Sequence, residues 1–342
     1  GHEAAAIFGG KPVNPINAIP GGMSKPISSE EHKRLTEIVD FMVEFARFTL
    51  KLFHDLVLAN RQYVDLILSS PFRHETYSMG LVDDRNRVNF YDGQVRVLDP
   101  GGKELCKYIA VDYAKVVAER VEPWTYLKFP YLRQVGWKGL VDGKDSGVYR
   151  ATPQSRLNVA EGMNSPEAQA AYEEYFETLT GDRSGRRPVH NTLAIHWARL
   201  VELMNAAERA RELLGFPEIT HPENYRALPT VPPTEGVGIV EAPRGTLTHH
   251  YVTDENGIIR KANLIVGTTN NHAAICMSIK KAAQGLIHKE VEVNEGLLNM
   301  IEMAFRAYDP CYGCATHALP GRMPLRVRIH SADGSMLREI GR

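Results

Sequence analysis

The sequence predicts an α+β fold that is mainly helical, with a bundle of long helices as its core and a small β-sheet at the periphery. Two observations lead to this expectation. Apolar residues recur at helical spacing over residues 28–69, 164–214 and 272–307. Residues 71–150 instead alternate apolar and polar positions around Asp-Gly and Pro-Gly-Gly turns, which is typical of strands. A chain of 342 residues is long enough to bury one large core or to form two domains.

Charge and composition narrow the classes of function. The formal net charge of −1 gives no global field that would attract nucleic acid or anionic lipid. The sequence contains neither a run of about 18 uncharged apolar residues nor a signal-peptide pattern. Four cysteines are too few for a disulfide framework. We therefore expect a cytoplasmic protein that binds no nucleic acid and has no transmembrane segment.

We expect the N-terminal part to begin with an irregular segment that is followed by a long helix. The first 29 residues contain four prolines and end in GGMSKPISS, which predicts an irregular segment. Ser28 and Glu31 have the spacing of a capping box, and apolar residues follow at helical spacing. The helix is predicted to extend to about Ser69, either continuous or broken once.

The rest of the chain combines helices with one further hairpin. Pro166 follows Ser165 at the first position of a predicted helix. Two apolar runs within residues 237–268 flank Glu-Asn-Gly and predict a β-hairpin. Asp309 and Pro310 end the last predicted helix, because proline cannot continue one. Helices are predicted over residues 165–179, 191–214, 272–287 and 294–307.

The segment DPCYGCATH, residues 309–317, carries the clearest chemical signal. Cys311 and Cys314 lie three apart just past a helix end, so both sulfurs can turn toward one ion, and His317 adds an imidazole. Thiolates are soft ligands that select nickel, zinc or iron over hard cations. The pattern predicts a metal site without naming the metal. A redox-active or merely exposed cysteine pair stays open, and a structural zinc site would need ligands from elsewhere.

Three segments together resemble the large subunit of nickel-iron hydrogenases. DPCYGCATH resembles the family's C-terminal motif Asp-Pro-Cys-x-x-Cys-x-x-His. The preceding stretch of cytoplasmic members, both the viologen-reducing, heterodisulfide-reductase-linked type and the bidirectional NAD-linked type, is similar to GVGIVEAPRGTLTHHYVTDENGIIRKANLIVGTTNNHAAICMSIKKAA. IFGGKPVNPINAIPGGMSKPISSEE resembles the family's middle region. The resemblance spans essentially the whole chain and implies that family's fold and the cleavage or formation of dihydrogen.

The resemblance also implies a set of metal ligands. Cys311 and Cys314 would bind nickel, and one of them would also bridge to an iron that carries carbonyl and cyanide ligands. His317 would bind magnesium or a second iron. Complete family members carry a second C-x-x-C near the N-terminus, and this sequence has no counterpart. Cys106 and Cys276 are expected to be small buried apolar residues on sheet and helix, not ligands.

Further residues are assigned catalytic roles by the resemblance alone. Arg244, in the family's Ala-Pro-Arg-Gly segment, would hold its guanidinium beside the metal centre, with Pro243 near the diatomic ligands of iron. A thiolate such as Cys311 could take the proton released from dihydrogen, and Asp309 would pair with Arg244. Judged from the residues alone, Arg244 would more simply be a surface arginine of a hairpin.

The implied assembly has several partners. We expect an N-terminal fragment or separate chain to carry the other C-x-x-C, an iron-sulfur small subunit to take the electrons, and further subunits to accept them. Residues 1–317 are predicted to form the large-subunit portion, with residues 71–150 as a β-rich insertion. Residues 318–342 are predicted to be a C-terminal extension that a maturation endopeptidase could remove, and they alternate around Asp-Gly as a hairpin would.

Two other interpretations stay open. The chain could be a non-catalytic scaffold or unprocessed precursor of the same fold with an empty or partial metal site, or a zinc or dithiol protein unrelated to hydrogenases. A scaffold has no need of the five candidate residues, so their joint presence favours the catalytic interpretation. These residues are Arg244, Asp309, Cys311, Cys314 and His317.

Overall fold

The structure is a computed structural model and describes residues 1–221, 223, 225–227, 229–289, 291–311 and 326–341. The chain forms two compact units, Gly1–Tyr308 and Asp309–Arg342. Among the described helices, none combines the length and apolar character that a membrane span requires. Helices and several small sheets together build the first unit, as expected for the α+β class.

The elements are numbered along the chain. The helices are α1 (His2–Gly9), α2 (Ser29–Phe53), α3 (Arg61–Leu68), α4 (Tyr113–Val116), α5 (Pro153–Val159), α6 (Pro166–Thr180), α7 (Ile195–Leu214), α8 (Gly267–Asn270), α9 (His272–Leu286) and α10 (Glu295–Arg306). The strands are β1 (Ala18–Ile19), β2 (Gly22–Met23), β3 (Tyr77–Val82), β4 (Gln94–Leu98), β5 (Glu104–Tyr108), β6 (Val117–Val121), β7 (Lys128–Leu132), β8 (Tyr149–Arg150), β9 (Glu235–Ala242), β10 (Gly245–Thr253), β11 (Ile259–Ile265), β12 (Arg326–His330) and β13 (Met336–Gly341).

The N-terminus forms a helix, α1, where the sequence was expected to be irregular. The four prolines that suggested an irregular segment all come after this helix. The residues ahead of them, HEAAAIFG, are rich in alanine, which has the best intrinsic helix propensity. Gly10 then ends the helix in the left-handed conformation, with φ of 78°.

The predicted long helix is present and is broken once. Its capping box is confirmed, because the Glu31 amide donates to Ser28 Oγ (3.1 Å) and the Ser28 amide donates to Glu31 Oε2 (3.0 Å). Helix α2 runs into a five-residue π-helical turn, His54–Leu58, before Asn60 caps α3. The break therefore comes from a change of helical hydrogen bonding and a new cap, with no proline or glycine involved.

Three helices pack around one tryptophan. Trp197 of α7 is 1% exposed. Its ring centroid lies 5.6 Å from that of Phe53 of α2 and 5.2 Å from that of Tyr175 of α6. Aromatic pairs at such separations add to the free energy gained from burying their apolar area. This bundle corresponds to the helical core that the sequence predicts.

One of the sheets is part of the core. Its strand order is β5-β4-β3-β8, antiparallel except for the parallel pair β3 and β8. Every residue of β3 is buried, because YSMGLV has helix α5 against it and lacks the polar alternation of a solvent-facing strand. Side chains of this sheet share a core cluster with Ile239 of β9 and Ile265 of β11. The sequence predicted a peripheral sheet, and the structure corrects this prediction.

A second sheet contains the Ala-Pro-Arg-Gly segment. Its order is β11-β10-β9, all antiparallel. The hairpin predicted around Glu-Asn-Gly is confirmed as β10 and β11. Strand β9 was not predicted, and it joins β10 through the two-residue turn Pro243–Arg244, since Ala242 pairs with Gly245. In the second unit, β12 and β13 form the hairpin that the Asp-Gly pattern predicts.

Candidate functional site

The turn between β9 and β10 presents two of the candidate residues side by side. Pro243 is exposed and Arg244 is half-buried. Gly245, which follows, has φ of 153° and is buried. A Cβ atom at Gly245 would lie 2.6 Å from the Ala151 carbonyl oxygen and 2.7 Å from that of Gly267. Only glycine therefore lets this turn press against the chain at both places.

Side chains from other elements hold three consecutive carbonyl groups of this turn. Arg156 of α5 donates through Nη1 to the Ala242 carbonyl (3.0 Å), and its Nη2 makes a longer contact with the Pro243 carbonyl (3.5 Å). Asn271 Nδ2 donates to the Arg244 carbonyl (2.8 Å). The Ala151 amide donates to Asn271 Oδ1 (2.8 Å) and so orients that amide group. The backbone that carries Arg244 is thus fixed from both sides.

Arg156 is itself the centre of a buried ionic triad. Its Nη2 donates to Glu202 Oε2 (2.6 Å) and its Nη1 donates to Glu241 Oε2 (2.9 Å). The Arg156 and Glu241 side chains are each 1% exposed, and that of Glu202 is 8% exposed. Burial lowers the pKa of Arg156, but the attraction of Glu202 and Glu241 outweighs it and raises that pKa overall. The guanidinium therefore stays charged.

Glu241 connects the triad to both sheets. Its Oε1 accepts hydrogen bonds from the Leu81 amide of β3 (2.8 Å) and from Thr246 Oγ1 of β10 (3.0 Å). Burial raises the pKa of Glu241, and the attraction of Arg156 offsets only part of that rise. All the contacts of this carboxylate are with donors, which is the pattern of an ionised group. Its position fixes β9 against β3 just before the turn.

A cavity of about 300 Å³ lies beside the triad and the turn. Arg199 lines it and donates through Nη2 to the Ala307 carbonyl at the end of α10 (3.0 Å). The lining consists mainly of apolar groups, with the triad at one side. The lining residues are Phe90, Arg156, Arg199, Glu202, Leu203, Ala206, Glu241, Ala242 and Pro243.

The Asp-Pro-Cys motif begins the second unit. Asp309 is exposed and has φ of 51°, a left-handed conformation that is uncommon for residues other than glycine and is further disfavoured ahead of Pro310. Cys311 is half-buried, and binding a metal would require its thiolate form. Cys314 and His317 lie outside the described residues.

The donor set of the described residues fits one part of a nickel site. Cys311 offers the soft sulfur that nickel prefers, whereas no group of three or more His, Cys, Asp or Glu side chains converges in the described part of the chain. Cys106 and Cys276 are half-buried, not fully buried as expected, and pack against two different apolar clusters. Burial raises the pKa of both thiols, which disfavours their thiolate forms and argues against either as a ligand.

Sequence reasoning missed the residues that support the turn. Glu241 immediately precedes Ala-Pro-Arg-Gly, and Asn271 ends the Thr-Thr-Asn-Asn run, so both lie near segments already singled out. Arg156 and Glu202 have no such signal. Arg156 lies in a short helix that the sequence did not predict, and Glu202 lies in α7 like two other glutamates of that helix.

Comparison with known proteins identifies the family. Residues 145–317 match the model of the nickel-dependent hydrogenase family. The chain is 47% identical over 334 residues to an F420-non-reducing hydrogenase iron-sulfur subunit of Archaeoglobus profundus, covering 98% of this chain and 67% of that protein. It is 37% identical over 352 residues to the NAD-reducing hydrogenase HoxS subunit beta of Cupriavidus necator, covering 100% of this chain and 68% of that protein.

A solved structure shows the same arrangement of elements. The crystal structure of an NAD+-reducing NiFe hydrogenase in the H2-reduced state superimposes with a TM-score of 0.80 and 32% sequence identity, over 92% of this chain and 66% of that one. The chain therefore spans about two thirds of the length of the relatives it matches. On the matched segment, the identity to named hydrogenases and the shared fold, the chain belongs to the nickel-dependent hydrogenases, oxidoreductases that act on dihydrogen.

Proposed function

We propose that this chain is the part of a nickel-iron hydrogenase large subunit that supplies Arg244 and the C-terminal nickel ligands. The observation that carries the proposal is the support beneath the Pro243–Arg244 turn, where Arg156 and Asn271 hold three consecutive carbonyls. A surface arginine of an ordinary hairpin needs no such support. A cation that must stabilise charge during a reaction does need a fixed position, because preorganisation avoids the free-energy cost of reorienting the group.

The ligands of the metal centre follow from the motif in the second unit. Cys311 and Cys314 would hold nickel, with one of them bridging to an iron that carries carbonyl and cyanide, and His317 would hold magnesium or a second iron. When bound, the nickel-iron centre supplies the electrophilic site at which dihydrogen is split. The remaining nickel ligands would come from a second C-x-x-C on another chain or fragment.

The residues of this chain then have separate tasks. Heterolytic cleavage of dihydrogen gives a proton and a hydride, and the Cys311 Sγ would accept the proton. The Arg244 guanidinium would stabilise developing negative charge, and Asp309 would pair with it and hold its direction. Pro243 has no polar side-chain atom, so it would help to keep water out of the pocket.

We also propose that this chain works within an assembly of several subunits. This chain has too few cysteines for iron-sulfur clusters of its own, so an iron-sulfur small subunit would take the electrons and pass them to acceptor subunits. The assembly would be cytoplasmic, as the resemblance implies. A maturation endopeptidase would act at the C-terminal extension, residues 318–342. The alternative is a scaffold or unprocessed precursor with an empty or partial metal site.

Metal analysis of the native assembly, purified under reducing conditions, tests the proposal. We expect nickel and iron at about one each per chain, with infrared bands of iron-bound carbonyl and cyanide. Cys311→Ser should lose nickel, because a hydroxyl is a poor substitute for a soft thiolate. Cys276→Ser, which replaces a half-buried cysteine on α9, is the matched control and should keep it.

A different metal content would support a different function. Zinc without nickel in the parent assembly would support a zinc protein, and an assembly without metal would support the scaffold. Full nickel content in Cys311→Ser would remove Cys311 from the ligand set.

A further inference from the structure

We propose that Arg156 is a positioning residue for the reaction of this chain, acting by holding the Pro243–Arg244 turn through the carbonyls that precede Arg244. The inference rests on the proposed role of Arg244. It assigns a task to a buried residue of a separate helix that no sequence motif marks. Asn271 completes the same support from the other side, through the Arg244 carbonyl.

The fold places Arg156 with few alternatives. Thr152 Oγ1 accepts from the Ser155 amide (3.2 Å) and Pro153 occupies the first turn, so α5 begins at a defined residue. A Cβ atom at Gly80 of β3 would lie 2.7 Å from Arg156 Cγ and 3.0 Å from its Cα. Glycine at this central strand position therefore allows α5 to lie directly on the sheet, and any side chain there would displace Arg156.

The planar guanidinium is required for this arrangement. Nε and Nη2 of Arg156 face Glu202, while Nη1 serves both Glu241 and the Ala242 carbonyl. One group thus connects α7, β9 and the turn with directions fixed by its plane. A lysine ammonium is a single point with no such plane. It could pair with one of the two glutamates but could not keep all these contacts at once.

The ionic contacts of the triad explain how Arg156 keeps its position beneath the turn. The carboxylates of Glu202 and Glu241 hold Arg156 in place, and Arg156 in turn holds the two carbonyls. An uncharged donor at the same site would lack the attraction that fixes its plane. Because a misplacement of about 1 Å at a catalytic group can reduce a rate by about 10²-fold, small losses of this support should be measurable as turnover.

The test uses the complete assembly with bound metals and four variants. Arg156→Lys removes the planar fork, and Arg244→Lys alters the residue through which Arg156 acts. The third variant combines both changes. The control is Arg150→Lys, because Arg150 is also buried and its guanidinium donates to the carbonyls of His74 (3.0 Å) and His190 (3.1 Å), not to a residue of the turn.

The first measurement is hydrogen exchange of the peptide covering residues 240–247, followed by mass spectrometry. We expect Arg156→Lys to speed exchange there at least fivefold, with exchange of residues 259–265 of the same sheet unchanged. Arg150→Lys should leave residues 240–247 as in the parent. Equal exchange in the parent and a folded, nickel-containing Arg156→Lys variant would overturn the proposal.

The second measurement is turnover, which separates positioning from general loss of stability. We expect Arg156→Lys to lower turnover about tenfold or more at unchanged nickel content. If Arg156 acts through Arg244, the double variant should be no slower than Arg244→Lys alone. Multiplied losses in the double variant would mean that Arg156 acts independently, which contradicts the proposal.

Two further outcomes of the experiment also have a defined meaning. If Arg156→Lys does not assemble, Asn271→Asp takes its place, since it keeps the acceptor for the Ala151 amide and loses the donor to the Arg244 carbonyl. The same exchange and turnover results are then expected, and their absence counts against the support. If Arg244→Lys keeps full turnover, the proposed function fails at Arg244, while the exchange result still decides whether Arg156 holds the turn.

Discussion

Arg244 is a residue of a hairpin turn whose backbone is nevertheless fixed like that of a core residue. The carbonyls of Ala242, Pro243 and Arg244 all contact buried side chains, and Gly245 packs against two further carbonyls. The side chain can therefore be half-buried while its attachment point has little freedom. This combination suits a cation that must meet a reacting group at a set distance.

Arg244→Lys should leave nickel and iron content unchanged and reduce turnover by about 10²–10³-fold, the usual cost of losing one preorganised charge-stabilising donor. Lysine keeps the charge but cannot present two parallel donors in a plane. Turnover per bound nickel is the quantity to measure. Arg260→Lys, on β11 of the same sheet and paired with Asp254 at the surface, is the control and should behave as the parent does. Unchanged turnover in Arg244→Lys would exclude it from the mechanism.

The predictability of these residues depends on how far apart their partners lie in the sequence. Asp309, Cys311 and Arg244 sit in short motifs, so a resemblance carried by a few neighbouring letters could point to them. Arg156 contacts Glu202 and Glu241 at separations of 46 and 85 residues. Its role exists only once α5, α7 and β9 have come together. No local pattern of apolar spacing or capping records such a contact.

The elements show the same division between local and long-range causes. The capping box at Ser28 and the hairpins around Asp-Gly and Glu-Asn-Gly were predictable, because their hydrogen bonds join residues close in sequence. The pairing of β9 with β10 was not predicted, because the tight turn at Pro243–Arg244 has neither Asn-Gly nor Asp-Gly. Burial of β3 on both faces was also missed, since it depends on α5 packing against it.

The turn between β9 and β10 depends on the absence of a side chain at one position, which gives a prediction at this scale. Gly245→Ala should lower the free energy of unfolding by about 2–4 kcal/mol, because the new Cβ would lie within 2.7 Å of two carbonyl oxygens at a positive φ. Urea unfolding of the purified protein measures the change. Gly238→Ala, on β9 of the same sheet with open space around the new Cβ, should change it by less than about 1 kcal/mol. Equal losses in the two variants would contradict the steric argument.

Over the whole molecule, the buried histidines link stability to pH. Burial lowers the pKa of His74, His190 and His272, and the charge of Arg150 adds to that lowering at His74 and His190. These rings pack among different elements, since His74 Nε2 meets Ser278 Oγ, His190 Nε2 meets the Pro100 carbonyl, and His272 Nδ1 meets the Lys128 carbonyl. Acid should therefore weaken the first unit at several places at once.

His190 shows in which direction, and by about how much, stability should change with pH. Burial, aided by the charge of Arg150, lowers its pKa from 6.5 to about 4, so the unfolded chain binds a proton in a range of pH where the folded chain resists it. Its contribution to stability is complete above pH 6.5 and is lost as the pH falls toward 4. A shift of this size corresponds to about 3 kcal/mol in total, of which about 2 kcal/mol is lost by pH 5.

His190→Gln should therefore reduce the loss of unfolding free energy between pH 8 and pH 5 by about 2 kcal/mol. A glutamine amide can donate to the Pro100 carbonyl as the ring Nε2 does, and it does not titrate. Urea unfolding midpoints at the two pH values measure the difference. His54→Gln, at an exposed position before α3, controls for the substitution itself and should keep the full loss. An undiminished loss in His190→Gln would show that His190 does not resist protonation in the folded chain, and would shift the acid sensitivity to His74 and His272.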